Sequence, residues 1–125
     1  MNIIQTAISL NVADVHASAE FAKSQFGFRE AMAADGFVSL EHPTASTHII
    51  FLATGLGTFR PAEIAGSAGQ GLLVVFVVDD LDAEYRRISL SGARVVTEPA
   101  TEPWGERYCQ FADPNGIVWQ LVQWV

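Results

Sequence analysis

The chain has 125 residues, is 50 % hydrophobic by residue type and carries a formal net charge of −7. That length allows one domain with a sizeable core and is short for two ordinary ones, and the apolar content excludes a disordered chain. With an isoelectric point near 4.7, nothing can form the basic footprint that phosphate contacts require, so a nucleic-acid binder is excluded as well.

Cys109 is the only cysteine, which rules out a disulfide framework and any cysteine-based metal motif. The N-terminal stretch MNIIQTAISLNVADV lacks a basic region followed by a long apolar one, so no signal peptide is expected. No apolar run approaches the roughly 20 residues of a membrane span. A cytoplasmic protein is the expectation.

In chain order, Ile3–Val12 alternates and is rich in β-branched residues, the pattern of a strand. Asp14 suits an N-cap, Val15–Gln25 has the spacing of an amphipathic helix, and Gly27 suits its end. Three short strands are expected next, at Phe28–Met32, Phe37–Glu41 and Thr47–Ala53, separated by turn residues at 34–36 and 42–44. Residues 54–70 are glycine-rich and read as a linker with one helical turn around Pro61–Ile64. Then Gly71–Val78 reads as an apolar strand, Asp79 and Asp80 as N-cap candidates, and Leu81–Leu90 as a helix closed by Gly92. Strands follow at Ala93–Thr97, Arg107–Ala112 and Ile117–Val125. Asp113-Pro114-Asn115-Gly116 is a type I turn sequence joining the last two.

The order strand, helix, three strands therefore occurs twice, over 1–53 and 71–125. Val12-x-Asp14 is matched by Val77-x-Asp79, and Gly27 by Gly92. A period this long marks an internal duplication, not a repeat array. The fold class is α+β: two βαβββ units with curled mixed sheets around a cleft, forming a single domain over 1–125. Either unit alone leaves one sheet face bare.

Two stretches carry more than fold. "LNVADVHASAEFAKSQFGFR" and "TEPWGERYCQFADPNGIVWQLVQ" resemble the vicinal oxygen chelate superfamily, which includes glyoxalase I, extradiol dioxygenases and bleomycin-resistance proteins. The resemblance covers the chain apart from 54–70. It implies a homodimer, often with halves swapped between chains, and ligands bound in the clefts of the curled sheets. It also implies four metal-ligand positions facing the cleft, which fall here on Ala7, Phe51, Leu73 and Gln120. Three of those side chains have no donor atom and the fourth is a neutral amide, whereas Zn²⁺, Ni²⁺ or Fe²⁺ needs imidazole, thiolate or carboxylate. No metal, no cofactor and no catalytic residue is therefore expected. The three histidines, His16, His42 and His48, form no compact ligand motif, and Cys109 reads as a buried thiol.

What remains is an apolar cleft. By the resemblance to the bleomycin-resistance branch, Trp104 of the P-W-G motif stacks on a flat part of the ligand. The opposing aromatic position falls on Met32, with Phe37 nearby. Phe51 and Leu73 form the floor and Gln120 is the polar handle. Alternation separates the two faces of the last strand, and the resemblance puts Val118, Gln120, Val122 and Trp124 on the cleft face and Trp119 and Leu121 under a helix. The expected function is sequestration of a small molecule with a planar or apolar part, as in antibiotic or toxic-metabolite resistance. Two other readings stand beside it. One is a metal-dependent lyase, isomerase or dioxygenase of the same superfamily, with His48, Glu41 and Glu102 as ligands. The other is an interaction domain whose cleft its own side chains fill, with Trp104 sealing the cleft end or the dimer contact.

Overall fold

The computed structural model describes residues 1–125, which divide into two compact units, Met1–Ala68 and Gly69–Val125. The first contains β1 (Thr6–Val12), α1 (Val15–Phe26), β2 (Arg29–Ala34), β3 (Phe37–Glu41) and β4 (Thr47–Ala53). The second contains β5 (Val74–Val77), α2 (Leu81–Leu90), β6 (Arg94–Thr101), β7 (Glu106–Ala112) and β8 (Val118–Trp124). Each unit is a four-stranded mixed sheet, ordered β1-β4-β3-β2 in the first and β5-β8-β7-β6 in the second. The outer pair β1/β4 or β5/β8 is parallel and the others are antiparallel.

Both helices begin as their sequences require. The Asp14 carboxylate accepts a hydrogen bond from the Ala17 backbone N–H, and the Asp80 carboxylate accepts one from Ala83, each at 3.1 Å. Gly27 closes α1 in the left-handed conformation, φ 77°, and its N–H bonds to the Ala22 and Lys23 carbonyls. His42 braces the same end. Its Nε2 donates to the Phe26 carbonyl at 2.8 Å while its Nδ1 accepts from the Thr44 N–H, which fixes the neutral Nε2–H tautomer.

The core of each unit lies between sheet and helix. In the first it comprises Leu10, Val12, Ala19, Ala22, Leu40, Ile49 and Phe51. In the second, Leu81 and Ile88 of α2 cover Cys109, Phe111, Trp119 and Leu121, all buried. A bidentate pair from Arg107 to Asp82, at 2.7 and 3.1 Å, ties β7 to the first turn of α2. The turn at 113–116 closes with Gly116 N–H donating to the Asp113 carbonyl at 2.9 Å. The buried Asp113 carboxylate accepts from Asn115 N–H, Ile117 N–H and the Trp119 indole.

The strand limits differ from the sequence reading where a pairing partner decides them. Ile3 and Ile4 lie outside β1, because β4 begins at Thr47 and offers them nothing to pair with. β5 is four residues long, not eight. β6 runs on through Pro99 to Thr101. As the edge strand it tolerates a residue without an N–H donor. Residues 54–68 fold back on the first unit: Gly55 N–H bonds to the Ala65 carbonyl and Ala68 N–H to the Asn11 carbonyl, around a 3-10 turn at Ala62–Ile64.

Candidate functional site

Each sheet has one face under its helix and one face turned away. Register assigns every residue to one of the two, since side chains opposite one another across a ladder share a face. In the second unit Trp119 pairs with Phe111, and Leu121 with Cys109, under α2. The averted face therefore carries Val118, Gln120, Val122 and Trp124 of β8, with Ala112, Gln110, Tyr108 and Glu106 opposite them on β7. Val75 and Val77 of β5 extend it beside Gln120 and Val122. Leu73 immediately precedes β5 and is exposed with them.

At the centre of this face runs a hydrogen-bonded row. Thr97 Oγ1 donates to Gln110 Oε1 at 2.7 Å, and Gln110 Nε2 donates to Gln120 Oε1 at 2.7 Å. Around it the surface is aliphatic. Val77, the last residue of the edge strand β5, is 65 % exposed.

Trp104 stands at one end of the same unit, in the turn between β6 and β7, and is 67 % exposed. The turn is closed by the Gly105 N–H donating to the Glu102 carbonyl at 3.0 Å. Its indole N–H points to Glu106 Oε1 at 3.4 Å. Trp124, 60 % exposed, is the direct cross-strand partner of Glu106. Two indoles thus flank one carboxylate. Next to them Tyr108 donates its hydroxyl to Glu102 at 3.0 Å, and that carboxylate holds the phenol above its ordinary range. Trp104 and Gln120 belong to one unit but not to one contact point: Trp124 and Gln120 are four residues apart on β8, roughly 13 Å at strand rise.

In the first unit the averted face carries Ala7, Ser9 and Asn11 of β1, His48, Ile50 and Leu52 of β4, Phe37 and Ser39 of β3, and Met32 of β2. Met32 and Phe37 lie on this averted face. Phe51 does not. It pairs with Leu10 and Val38 on the helix side and is 0 % exposed. Ile50 holds the position expected for it. The stretch HIIFLA is apolar on both faces, and a one-residue slip turns every side chain over. Ala7 and Ile50 in the first unit, and Leu73 and Gln120 in the second, hold the positions that the resemblance implies for metal ligands; three have no donor atom and the fourth is a neutral amide, a set that does not suit a transition metal.

The other candidate ligands each have a hydrogen-bond partner of their own. His48 Nδ1 accepts from Gln5 Nε2 at 2.8 Å, Glu41 accepts from Arg29 at 3.1 Å, and Glu102 holds Tyr108 in the other unit. The protein groups no three His, Cys, Asp or Glu side chains that could hold a metal ion. Thr97 and Gln110 escaped the sequence reading. A four-residue turn at 113–116 alone would set Gln110 opposite Trp119; the Asp113 N–H bond to the Ile117 carbonyl moves the pairing by one residue to Gln120. For Thr97, two irregularities in the β6/β7 register set its face.

The family model described as Glyoxalase/Bleomycin resistance protein/Dioxygenase superfamily matches residues 3–121. An uncharacterized protein of Mycobacterium bovis is 40 % identical over 55 residues, which cover 44 % of this chain and 36 % of that protein. The chain thus spans about a third of the length of the curated relatives it matches. Among solved structures, TnmS3, an antibiotic binding protein from Streptomyces, superposes with a TM-score of 0.77 at 24 % identity, over 100 % of this chain and 99 % of that one. Lactoylglutathione lyase from Agrobacterium tumefaciens superposes with a TM-score of 0.76 at 18 % identity, over 98 % and 94 %. Likeness at these identities establishes the fold, which an antibiotic binder and a lyase share. No helix of the protein is long and apolar enough to cross a membrane.

Proposed function

The chain belongs to the glyoxalase/bleomycin resistance protein/dioxygenase superfamily, and we propose that within it this protein is a metal-independent binder that sequesters a small molecule with a planar or apolar part. The observation that carries this reading is the averted face of the second unit: exposed Leu73, Val75 and Val77 beside the Gln110–Gln120 amide pair, with Trp104 and Trp124 exposed at one end. Binding sites for small molecules have this make-up, apolar walls with a few placed polar groups. Chelation of substrate oxygens, the chemistry a metal would supply, finds no ligand set at Ala7, Ile50, Leu73 and Gln120.

Trp104 supplies a stacking surface, Leu73 an aliphatic wall and Gln120 a hydrogen bond. Met32 and Phe37 offer apolar surface on the first unit, and Phe51, being core, takes no part. The carboxylates of Glu102 and Glu106 beside the indoles favour a ligand with positive charge. Resistance to an antibiotic or a toxic metabolite is the role this chemistry suits, in the cytoplasm and as a homodimer.

The test combines metal analysis with tryptophan fluorescence. Dialysed protein should hold no stoichiometric transition metal, and flat, cationic antibiotics should quench the indole emission saturably in the wild type but far more weakly in Trp104→Ala. Stoichiometric metal, or tight saturable metal uptake, would sink the reading in favour of a metal-dependent enzyme.

A further inference from the structure

We infer that the Gln120 side-chain amide is a dedicated donor for a carbonyl oxygen of the ligand, and that Thr97 and Gln110 are positioning residues that fix which end of the amide faces outward. The inference rests on the averted face of the second unit being a ligand site, and goes further by naming the functional group bound there.

The hydroxyl of Thr97 donates to Gln110 Oε1. In that arrangement the oxygen of Gln110 is turned toward β6 and its nitrogen toward β8. The nitrogen in turn donates to Gln120 Oε1. The acceptor end of Gln120 is therefore consumed within the row, and the donor end, Nε2, is turned outward. Gln120 is 9 % exposed, so the side chain is ordered by its surroundings. Yet its nitrogen makes no hydrogen bond to the protein, and no buried side-chain nitrogen or oxygen in the protein lacks a partner. The Nε2 atom therefore reaches the surface of the face. Its neighbours there are Val75 across β5 and Gln110 across β7, with Val118 and Val122 two residues away along β8. An oriented N–H pair beside valines rewards an acceptor and penalises a ligand that covers it with C–H.

The first unit shows that the row is not a by-product of the fold. Met32, Ser39, Ile50 and Ser9 lie across its sheet where Thr97, Gln110, Gln120 and Val75 lie in the second, and each outermost residue follows a register shift. There the place of Gln120 is taken by an isoleucine and no such relay forms.

The experiment uses two planar molecules of nearly the same shape, 9-fluorenone, which has a carbonyl, and fluorene, which lacks it. They are titrated into the full-length, ¹⁵N-labelled protein, and the side-chain NH₂ signals of Gln120 are followed. Fluorenone should bind on the order of tenfold more tightly than fluorene and shift the Gln120 NH₂ pair downfield. Thr97→Val, which removes the orienting donor, should abolish the preference. Thr97→Ser, which keeps the hydroxyl, should retain it, and Gln120→Leu should reverse it. Equal binding of the two compounds to the wild type, or an intact preference in Thr97→Val, overturns the inference while leaving the face a binding site. Binding of neither overturns the small-molecule reading itself, and this inference with it.

Discussion

Cys109 sits on the helix side of β7, opposite Leu121 and fully buried. Burial pushes its thiol up from 9.0 to about 11. The thiolate therefore forms first in unfolded molecules, so alkali drains the folded state. The contribution is complete below pH 9, fades as pH rises from 9 to about 11, and is gone above that. Urea unfolding at pH 8, 9, 10 and 11 should show a loss of stability in the wild type that is smaller in Cys109→Ala. The raised phenol of Tyr108 titrates in both proteins and cancels in the comparison. Folded protein at pH 8 should also resist thiol reagents that react at once in urea. At this scale the sequence was informative where a residue has one chemical option. A single mid-strand cysteine reads as core, and alternation along β8 puts Gln120 and Trp124 on one face together, the family resemblance having said which face that is. Phe51 shows the limit. Where both faces of a strand are apolar, only the pairing with β1 and β3 chooses between them.

Elements made by local chemistry were legible, and those made by pairing were not. The helices, their aspartate caps and the 113–116 turn depend on neighbours within a few residues. Removing either cap, by Asp14→Ala or Asp80→Ala, should cost about 1 kcal/mol, measured by thermal or urea unfolding. The loop "TEPWGERY" is a subtler case. Gly105 has φ +89°, and a Cβ there would lie 2.8 Å from the Val125 carbonyl oxygen, to a residue whose own N–H bonds back to the Gly105 carbonyl at 2.9 Å. The glycine after the tryptophan is thus what lets the C-terminus dock against the turn and hold the indole beside Glu106. Gly105→Ala should destabilise the protein by about 1–3 kcal/mol and shift the tryptophan emission in the folded state. A substitution with neither effect would mean that the turn does not position Trp104. The bulges of β2 and β6 had no such local signature, and with them went Thr97.

At the scale of the whole chain, duplication has a consequence for surface. β1 and β5 each form one of the two edges of their sheets, opposite β2 and β6, and both are uncharged. Ile8 is 51 % exposed and Val77 65 %, with Ile3, Ile4 and Val75 exposed beside them. Edges of this kind are normally blunted by charge, proline or short length, because an open one invites pairing with another chain. Neither β1 nor β5 contains a lysine, an arginine or a proline. A net charge of −7 keeps such a molecule soluble without protecting a particular edge. A second copy of the chain is the partner that the homodimer reading supplies, and sedimentation equilibrium should return about twice the chain mass of 13.5 kDa. Placing a charge on each edge, by Ile8→Lys with Val77→Lys, should shift the equilibrium toward monomer at micromolar concentration while the circular dichroism of the sheets is retained. A wild-type monomer at high concentration would remove the dimer from the proposal. The ligand face of the second unit would stand untouched, because Gln120, Gln110 and Thr97 all come from one unit.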